Sequence, residues 1–272
     1  MEPTSIKEVT RYRGGFAEEV ADTLVVEEPL EIRVNNERFS VTMRTPGDDF
    51  SLIRGLLLTE GVIASNADIG RMRYCEATDS DIGEENIVNV HVSPGCATER
   101  RWQRQLMSGT SCGLCGKEAI EAVSTGVAPL PQGATFPRAV LQTLPDKLRQ
   151  QQALFSATGG LHAAGIFTAS GECLVVCEDI GRHNATDKAI GHGVAEGWLP
   201  WGKDEGLALL ISGRASFEIV QKALMARIPI VCAVSASSAL AADLAEANGQ
   251  TLIGFLRDKA MTIYAGKERI HD

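Results

Sequence analysis

Apolar and polar residues alternate along Leu30-Glu31-Ile32-Arg33-Val34 and again along Phe39-Ser40-Val41-Thr42-Met43. A period of two is that of a half-buried strand, and Asn35-Asn36 between them tolerates the positive φ angles of a tight hairpin turn. The period then changes. Phe50, Ile53, Leu56 and Leu57 recur at helical spacing after Thr45-Pro46-Gly47-Asp48, which offers caps, and Gly61 stands where a glycine ends a helix. Ile87-Val88-Asn89-Val90-His91-Val92 reads as a further strand, closed by Pro94-Gly95. The first third of the chain is therefore predicted to be a small sheet packed on a helix.

Residues 96–116 lose this periodicity, and a second polar stretch runs from Pro129 to Pro137. From Leu161 the pattern is again regular. Leu161–Thr168 and Glu172–Cys177 flank Ala169-Ser170-Gly171 as a hairpin, and a helix is predicted near Asn184–Ala195. Strands are expected at Leu207–Ile211, Ile230–Val234 and Thr251–Leu256, with helices running to about Arg227 and Asn248. Apolar strands alternating with helices of this length predict a parallel or mixed sheet covered on both faces. The expected class is α/β, with a smaller α+β unit over 1–105 and an α/β unit over 106–272.

Composition narrows the choices. With 44 % hydrophobic and 22 % charged residues the chain is of ordinary globular make-up, and no apolar run has the ~18–20 residues of a membrane span. Met1-Glu2-Pro3-Thr4-Ser5 has no apolar export signal, so the expected compartment is the cytoplasm. A net charge of −9 argues against a general nucleic-acid binder. An anion could still be held by local arginines and backbone N–H groups. Seven cysteines in a reducing compartment argue against a disulfide framework and leave chemistry open for some of them.

Two kinds of constellation could carry chemistry. In an open α/β sheet, ligands bind outside the carboxyl ends of the strands. Here those ends carry Gly181-Arg182-His183, Ser212-Gly213-Arg214 and Ser235-Ala236-Ser237-Ser238, each opening a helix whose first N–H groups can face an anion. Ordinary capping and turn formation explain any one such loop; several on one edge favour an anion site. Glu178-Asp179 could bond a base or ribose, or simply cap. His183 and, more weakly, His162 are candidates for ligand contact or acid–base work, and a helix-start hydrogen bond is the plain alternative.

The sharper signal is Cys112-Gly113-Leu114-Cys115, between flanking glycines and after Arg100, Arg101 and Arg104. Arginine and a following helix lower a thiol pKa and make the sulfur nucleophilic. Zinc would need more ligands, recruited from Cys75, Cys96 and His91, and no second Cys-x-x-Cys exists. A thioredoxin-like dithiol should follow a buried strand, which Arg100–Ser111 is not. A sulfur relay that holds sulfur as a persulfide fits best, beside the alternative of an inert pair. Cys173 and Cys177, four apart on one strand, are expected on one face as small hydrophobes, as is Cys232 in its apolar strand. The zinc-deaminase pattern of His-x-Glu with Pro-Cys-x-x-Cys is absent, and no metal ligand set is assigned.

Four segments, taken together and in order, resemble one family. They are Thr110-Ser111-Cys112-Gly113-Leu114-Cys115-Gly116, Thr158-Gly159-Gly160-Leu161-His162-Ala163-Ala164, the stretch from Glu178 through Gly181-Arg182-His183 to Lys188, and Ser212-Gly213-Arg214-Ala215-Ser216-Phe217-Glu218. The chain resembles the FdhD family of formate dehydrogenase accessory sulfurtransferases from about Glu27 to Arg257. The resemblance implies a carrier that takes sulfur from a cysteine desulfurase and passes it to the molybdenum cofactor, bis-molybdopterin guanine dinucleotide, before insertion into formate dehydrogenase. It also implies a cytidine-deaminase-like C-terminal domain and a homodimer. By position, Cys112 is the implied persulfide carrier and Cys115 a supporting or second relay thiol. The family's cofactor-binding stretch falls on Phe255, Leu256, Arg257, Asp258, Lys259 and Ala260. There the sequence departs from a common family pattern of glycine and a second arginine; Lys259 offers a charge instead. A non-catalytic cofactor chaperone and a thiol–disulfide oxidoreductase remain as alternative functions.

Overall fold

The computed structural model describes residues 2–75, 85–96, 128–200 and 206–272. The chain opens with an antiparallel hairpin, β1 (Thr4–Arg13) and β2 (Phe16–Val25), which forms a sheet of its own. Strands β3 (Glu28–Val34) and β4 (Glu37–Arg44) follow, joined by Asn35 and Asn36 at φ 51° and 71°, the primed turn the sequence predicts. With β5 (Ile69–Tyr74) and β6 (Ile87–Val92) they make a four-stranded sheet of order β4-β3-β6-β5. Helix α1 (Asp49–Thr59) covers its inner face, and Gly61, at φ 68°, ends the helix.

After the short strand β7 (Phe136–Pro137) come three short helices, α2 (Arg138–Leu141), α3 (Leu144–Gln150) and α4 (Ala153–Thr158). The second large sheet has six strands in the order β13-β12-β11-β10-β8-β9. These are β8 (His162–Thr168), β9 (Cys173–Asp179), β10 (Leu207–Ile211), β11 (Ile230–Ala233), β12 (Thr251–Arg257) and β13 (Ala260–Ala265). Strands β10, β11 and β12 run parallel, while β8 and β13 run antiparallel to their neighbours, so the sheet is mixed. A two-residue strand, β14 (Ile270–His271), pairs with β7.

Alternation along β10 assigns the two faces. Leu207, Leu209 and Ile211 join a core with α5 (Arg182–Ala195), α6 (Phe217–Met225), α7 (Ala239–Ala247) and α1. Ala208 and Leu210 face a second core with Phe136, Leu141, Leu144 and Leu148 from the β7–α3 stretch. The first core continues through α1 to Leu30, Ile32 and Val34 of the other sheet.

What binds α1 to α5 is close backbone approach. A Cβ on Gly191 would lie 1.7 Å from the Ser51 carbonyl oxygen, and one on Gly55 would lie 1.9 Å from that of Asp187. Asp187 is buried at the same crossing, where it accepts from Thr59 Oγ1 (3.0 Å) and Lys222 Nζ (2.8 Å) and so ties α1, α5 and α6 together. Gly191→Ala is expected to destabilise the protein by about 1–3 kcal/mol or more, because the helices must separate. Urea unfolding measures this; a midpoint unchanged from wild type would mean that the crossing relaxes freely.

Candidate functional site

Four strands, β9 to β12, end at the same edge of the six-stranded sheet, and antiparallel β8 begins there. That geometry gathers the loops predicted to hold an anion, together with His162. A cleft of about 640 Å³ opens at this edge. One wall carries His162, Ile180, Ser212, Arg257 and Asp258; the other carries Asp146, Arg149, Gln152 and Phe155 from α3, α4 and the turn joining them. A volume of this order suits a small-molecule ligand.

The loop after β9 explains itself from its two carboxylates. Asp179, fully buried, accepts from Gly181 N (2.8 Å), Asn184 Nδ2 (3.1 Å), Thr45 N (3.1 Å) and Lys188 Nζ (2.9 Å). Lys188 also donates to the Thr45 carbonyl (2.9 Å). Glu178 turns the other way and accepts from Leu154 N (2.9 Å) and Phe155 N (2.8 Å), satisfying donors at the start of α4. Of the two roles the sequence allowed these carboxylates, capping is the one observed. They hold the loop and the opposite wall of the cleft in place.

Gly181 is the residue before α5, which starts two residues earlier than its periodicity suggested. His183 points to α6 rather than to the cleft, and its Nε2 lies 2.7 Å from Glu218 Oε2. That bond holds the Glu218 carboxyl below its usual range. Arg182 lies against Gly213, where a Cβ would come 3.6 Å from Arg182 Cδ and 3.4 Å from His162 Nδ1. Arg182 Nε is buried and has no hydrogen-bond partner among the described residues. Ser212 pins the start of β8: its N donates to the Ala163 carbonyl and its Oγ accepts from Ala163 N, both at 2.9 Å. Arg214 is exposed. In the fourth loop Ser238 acts as an ordinary cap, accepting from Ala241 N.

Burial, then the charges of Arg182 and His183, push the His162 imidazole below its ordinary value. As pH falls through ~6.5 the unfolded chain takes up this proton before the folded one, so stability drops below that range. In an NMR titration His162 should therefore titrate below free imidazole, and Arg182→Gln should move it part of the way back. A His162 that titrates at the ordinary value would contradict this placement.

The stretch 255–260 divides by side-chain direction. Leu256 is fully buried in the second core, whereas Arg257, Asp258, Lys259 and Ala260 lie at the surface and Phe255 is 38 % exposed. Arg257 and Ala260 pair across a two-residue turn in which Asp258 and Lys259 have φ 51° and 59°. Glycine adopts such angles freely, so Asp258 and Lys259 hold this turn at some cost in backbone strain. Phe255 also has positive φ (49°), beside the irregularity between Gly254 and Arg257, and the Arg257 guanidinium lies 5.8 Å from its ring centre.

Cys112 and Cys115 lie outside the described residues, as do Arg100, Arg101 and Arg104. The other five cysteines are free thiols. Burial pushes Cys177 and Cys232 up to about 12, and Cys96 and Cys173 are raised too. Cys173 and Cys177 do not share a face. Cys173 packs on the second core and Cys177 on the first, because the register shift opposite Ile166 and Phe167 inserts one residue and inverts the alternation. Among the described residues no group of three His, Cys, Asp or Glu is placed to hold a metal ion, and no helix is long and apolar enough to cross a membrane.

Fold and site together define a mixed α/β protein of several sheets with a cleft at the edge where its strand ends gather. The chain belongs to the FdhD/NarQ family, whose model matches residues 25–271. It is 46 % identical to the sulfur carrier protein FdhD of Streptomyces coelicolor, over 98 % of this chain and 95 % of that one. To the protein of the same name from Mycolicibacterium paratuberculosis it is 47 % identical, over 99 % and 100 %. The crystal structure of a candidate formate dehydrogenase accessory protein from Desulfotalea psychrophila has the same fold, with a TM-score of 0.77 and 22 % identity over 99 % of this chain and 100 % of that one. The family resemblance read from the four motifs is thereby borne out. Sequence reasoning did not single out Arg149, Gln152 or Phe155. They lie in a stretch of short helices that carried no motif.

Proposed function

We propose that this protein is a sulfur carrier that sulfurates the molybdenum cofactor on its way to formate dehydrogenase. The Cys112 thiolate attacks the terminal sulfur of a cysteine desulfurase persulfide, forming Cys112–S–SH and releasing the desulfurase thiolate. The cofactor, here the cargo, is bis-molybdopterin guanine dinucleotide. Its anionic guanine nucleotide arms are held at the sheet edge by Arg182, by Ser212-Gly213-Arg214 and by the exposed Phe255, Arg257, Asp258, Lys259 and Ala260, with Arg257 the central charge, while Gly181 and His183 shape the loop through Asp179 and Glu218. The persulfide S–S bond then breaks: Cys112 leaves as the thiolate, the outer sulfur passes to the metal as sulfide, and the metal of the cargo supplies the two electrons, with Cys115 as supporting or second relay thiol. The acting form is a homodimer, and the 106–272 unit has a cytidine-deaminase-like fold.

The observation that carries this reading is the convergence of Ser212, Arg257 and Asp258 on one nucleotide-sized cleft. It occurs in a chain whose relatives at 46–47 % identity are named sulfur carriers. The described thiols support it by contrast, since four of the five are held away from the reactive thiolate.

Peptide mass mapping after incubation with a desulfurase and cysteine tests it. One reducible extra sulfur on the Cys112 peptide is expected. Extra sulfur on the Cys177 or Cys232 peptide, or none at all, would contradict the carrier role and leave a cofactor chaperone as the better reading.

A further inference from the structure

The wall of the cleft facing Arg257 is built from residues that no family motif covers. Arg149 lies over the Phe155 ring, with its guanidinium carbon 4.5 Å from the ring centre, and Arg149 Nη1 donates to Ser156 Oγ (3.2 Å). Glu178 fixes Phe155 from below through the Phe155 and Leu154 N–H groups. Between this pair and the sheet edge lies Gln152, only 4 % exposed and lining the cleft. Its backbone oxygen is occupied by Ser156 Oγ (2.6 Å), whereas its side-chain amide makes no hydrogen bond to a described residue and keeps its access to the cleft. The amide is therefore open to the cleft rather than sealed in the fold, and its donor and acceptor are free to bond what enters there. Its position beside an arginine–aromatic pair in a small-molecule-sized cleft places it to meet a ligand.

We infer that Gln152, Arg149 and Phe155 form a base-recognition wall: a purine ring lies against the Arg149–Phe155 pair and the Gln152 amide meets its polar edge. The inference rests on the proposed nucleotide-bearing cargo and deepens it. An amide presents one acceptor and a donor group side by side, which matches the adjacent carbonyl and N–H of guanine. Stacking on an aromatic ring with a guanidinium close by suits any flat heterocycle. Arg257, across the cleft, is left for the phosphates, so base and phosphate are read by different walls.

The test is calorimetric binding of GDP and of inorganic pyrophosphate to the full-length wild type, Gln152→Met, Phe155→Leu and Phe155→Tyr. Methionine fills the glutamine's volume without its amide, and thermal melts check that each variant is folded. GDP affinity should fall about tenfold in Gln152→Met and about 5- to 100-fold in Phe155→Leu. Phe155→Tyr should bind GDP as the wild type does, and pyrophosphate affinity should be the same in all four proteins. GDP binding unchanged in folded Gln152→Met and Phe155→Leu would overturn the wall and leave the nucleotide reading standing. Equal losses for GDP and pyrophosphate would also overturn it, since the residues would then act on the phosphate side or on the fold. A wild type that binds no GDP would refute the nucleotide reading itself, and the wall with it.

Discussion

Cys112→Ala protein is expected to fold, to bind GDP like the wild type, and to leave formate dehydrogenase no more active than a carrier-free control. The reason is chemical. Persulfide formation needs a thiolate, and a thiol with a pKa of about 12, such as Cys177 or Cys232, is ionised in only about one molecule in 10⁴ at pH 8. Both are also packed in the cores, beyond reach of a desulfurase. Neither can substitute for Cys112. The described lining of the cleft, in contrast, comes from the sheet edge and α3–α4. Formate oxidation by dehydrogenase matured with each protein is the readout. Wild-type activity with Cys112→Ala would show the thiol to be dispensable and the protein to be a chaperone. Intact activation together with absent GDP binding would instead favour a thiol-based activity without a nucleotide.

Asp179→Ala is expected to cost about 3–5 kcal/mol, enough to unfold a domain of ordinary stability in part or in full. Asp179 is fully buried and serves four donors, one of them Lys188 Nζ at 2.9 Å. Removing it strands a charged ammonium that is itself only 2 % exposed. The cost comes mainly from that stranded charge rather than from the bond lost. It follows that Asp179→Ala with Lys188→Met should be more stable than Asp179→Ala alone, although the loop at Gly181 and Asn184 stays untied. Chemical denaturation of the wild type, the two single variants and the double variant gives the coupling. Strictly additive losses would mean that the pair is solvated or relaxed in the folded protein.

These carboxylates also illustrate what a sequence can convey. Strand-end loops rich in glycine, serine and arginine were legible because an α/β sheet sends parallel strand ends to one edge. Which side chains turn inward was not. Asp179 and Leu256 are set by tertiary partners distant in the chain, Thr45 in one case and the second core in the other. His183 likewise turns to Glu218 on another helix. The hairpin β1–β2 left no signal because both its faces are mixed and largely exposed, Ile6, Tyr12 and Phe16 included, so no apolar stripe marks a core side. Strand β13 is similar, with only Ala265 buried. Helices α2 to α4 carry Leu141, Leu144 and Leu148 at near-helical spacing, but Pro137 and Pro145 break the run into pieces too short to stand out. Gln152 lies just there, and an isolated glutamine announces nothing until its surroundings are known. The inverted faces of Cys173 and Cys177 follow from a bulge that no alternation pattern contains.

Sulfur transfer from Cys112 to the cofactor can be followed in a single turnover. The protein is loaded with persulfide by a desulfurase, freed of desulfurase and excess cysteine, and mixed with cofactor and a formate dehydrogenase lacking it. The carrier is expected to lose one sulfur atom from the Cys112 peptide for each dehydrogenase that becomes active. Activation with the persulfide still in place, or equal activation by protein never loaded with sulfur, would contradict it.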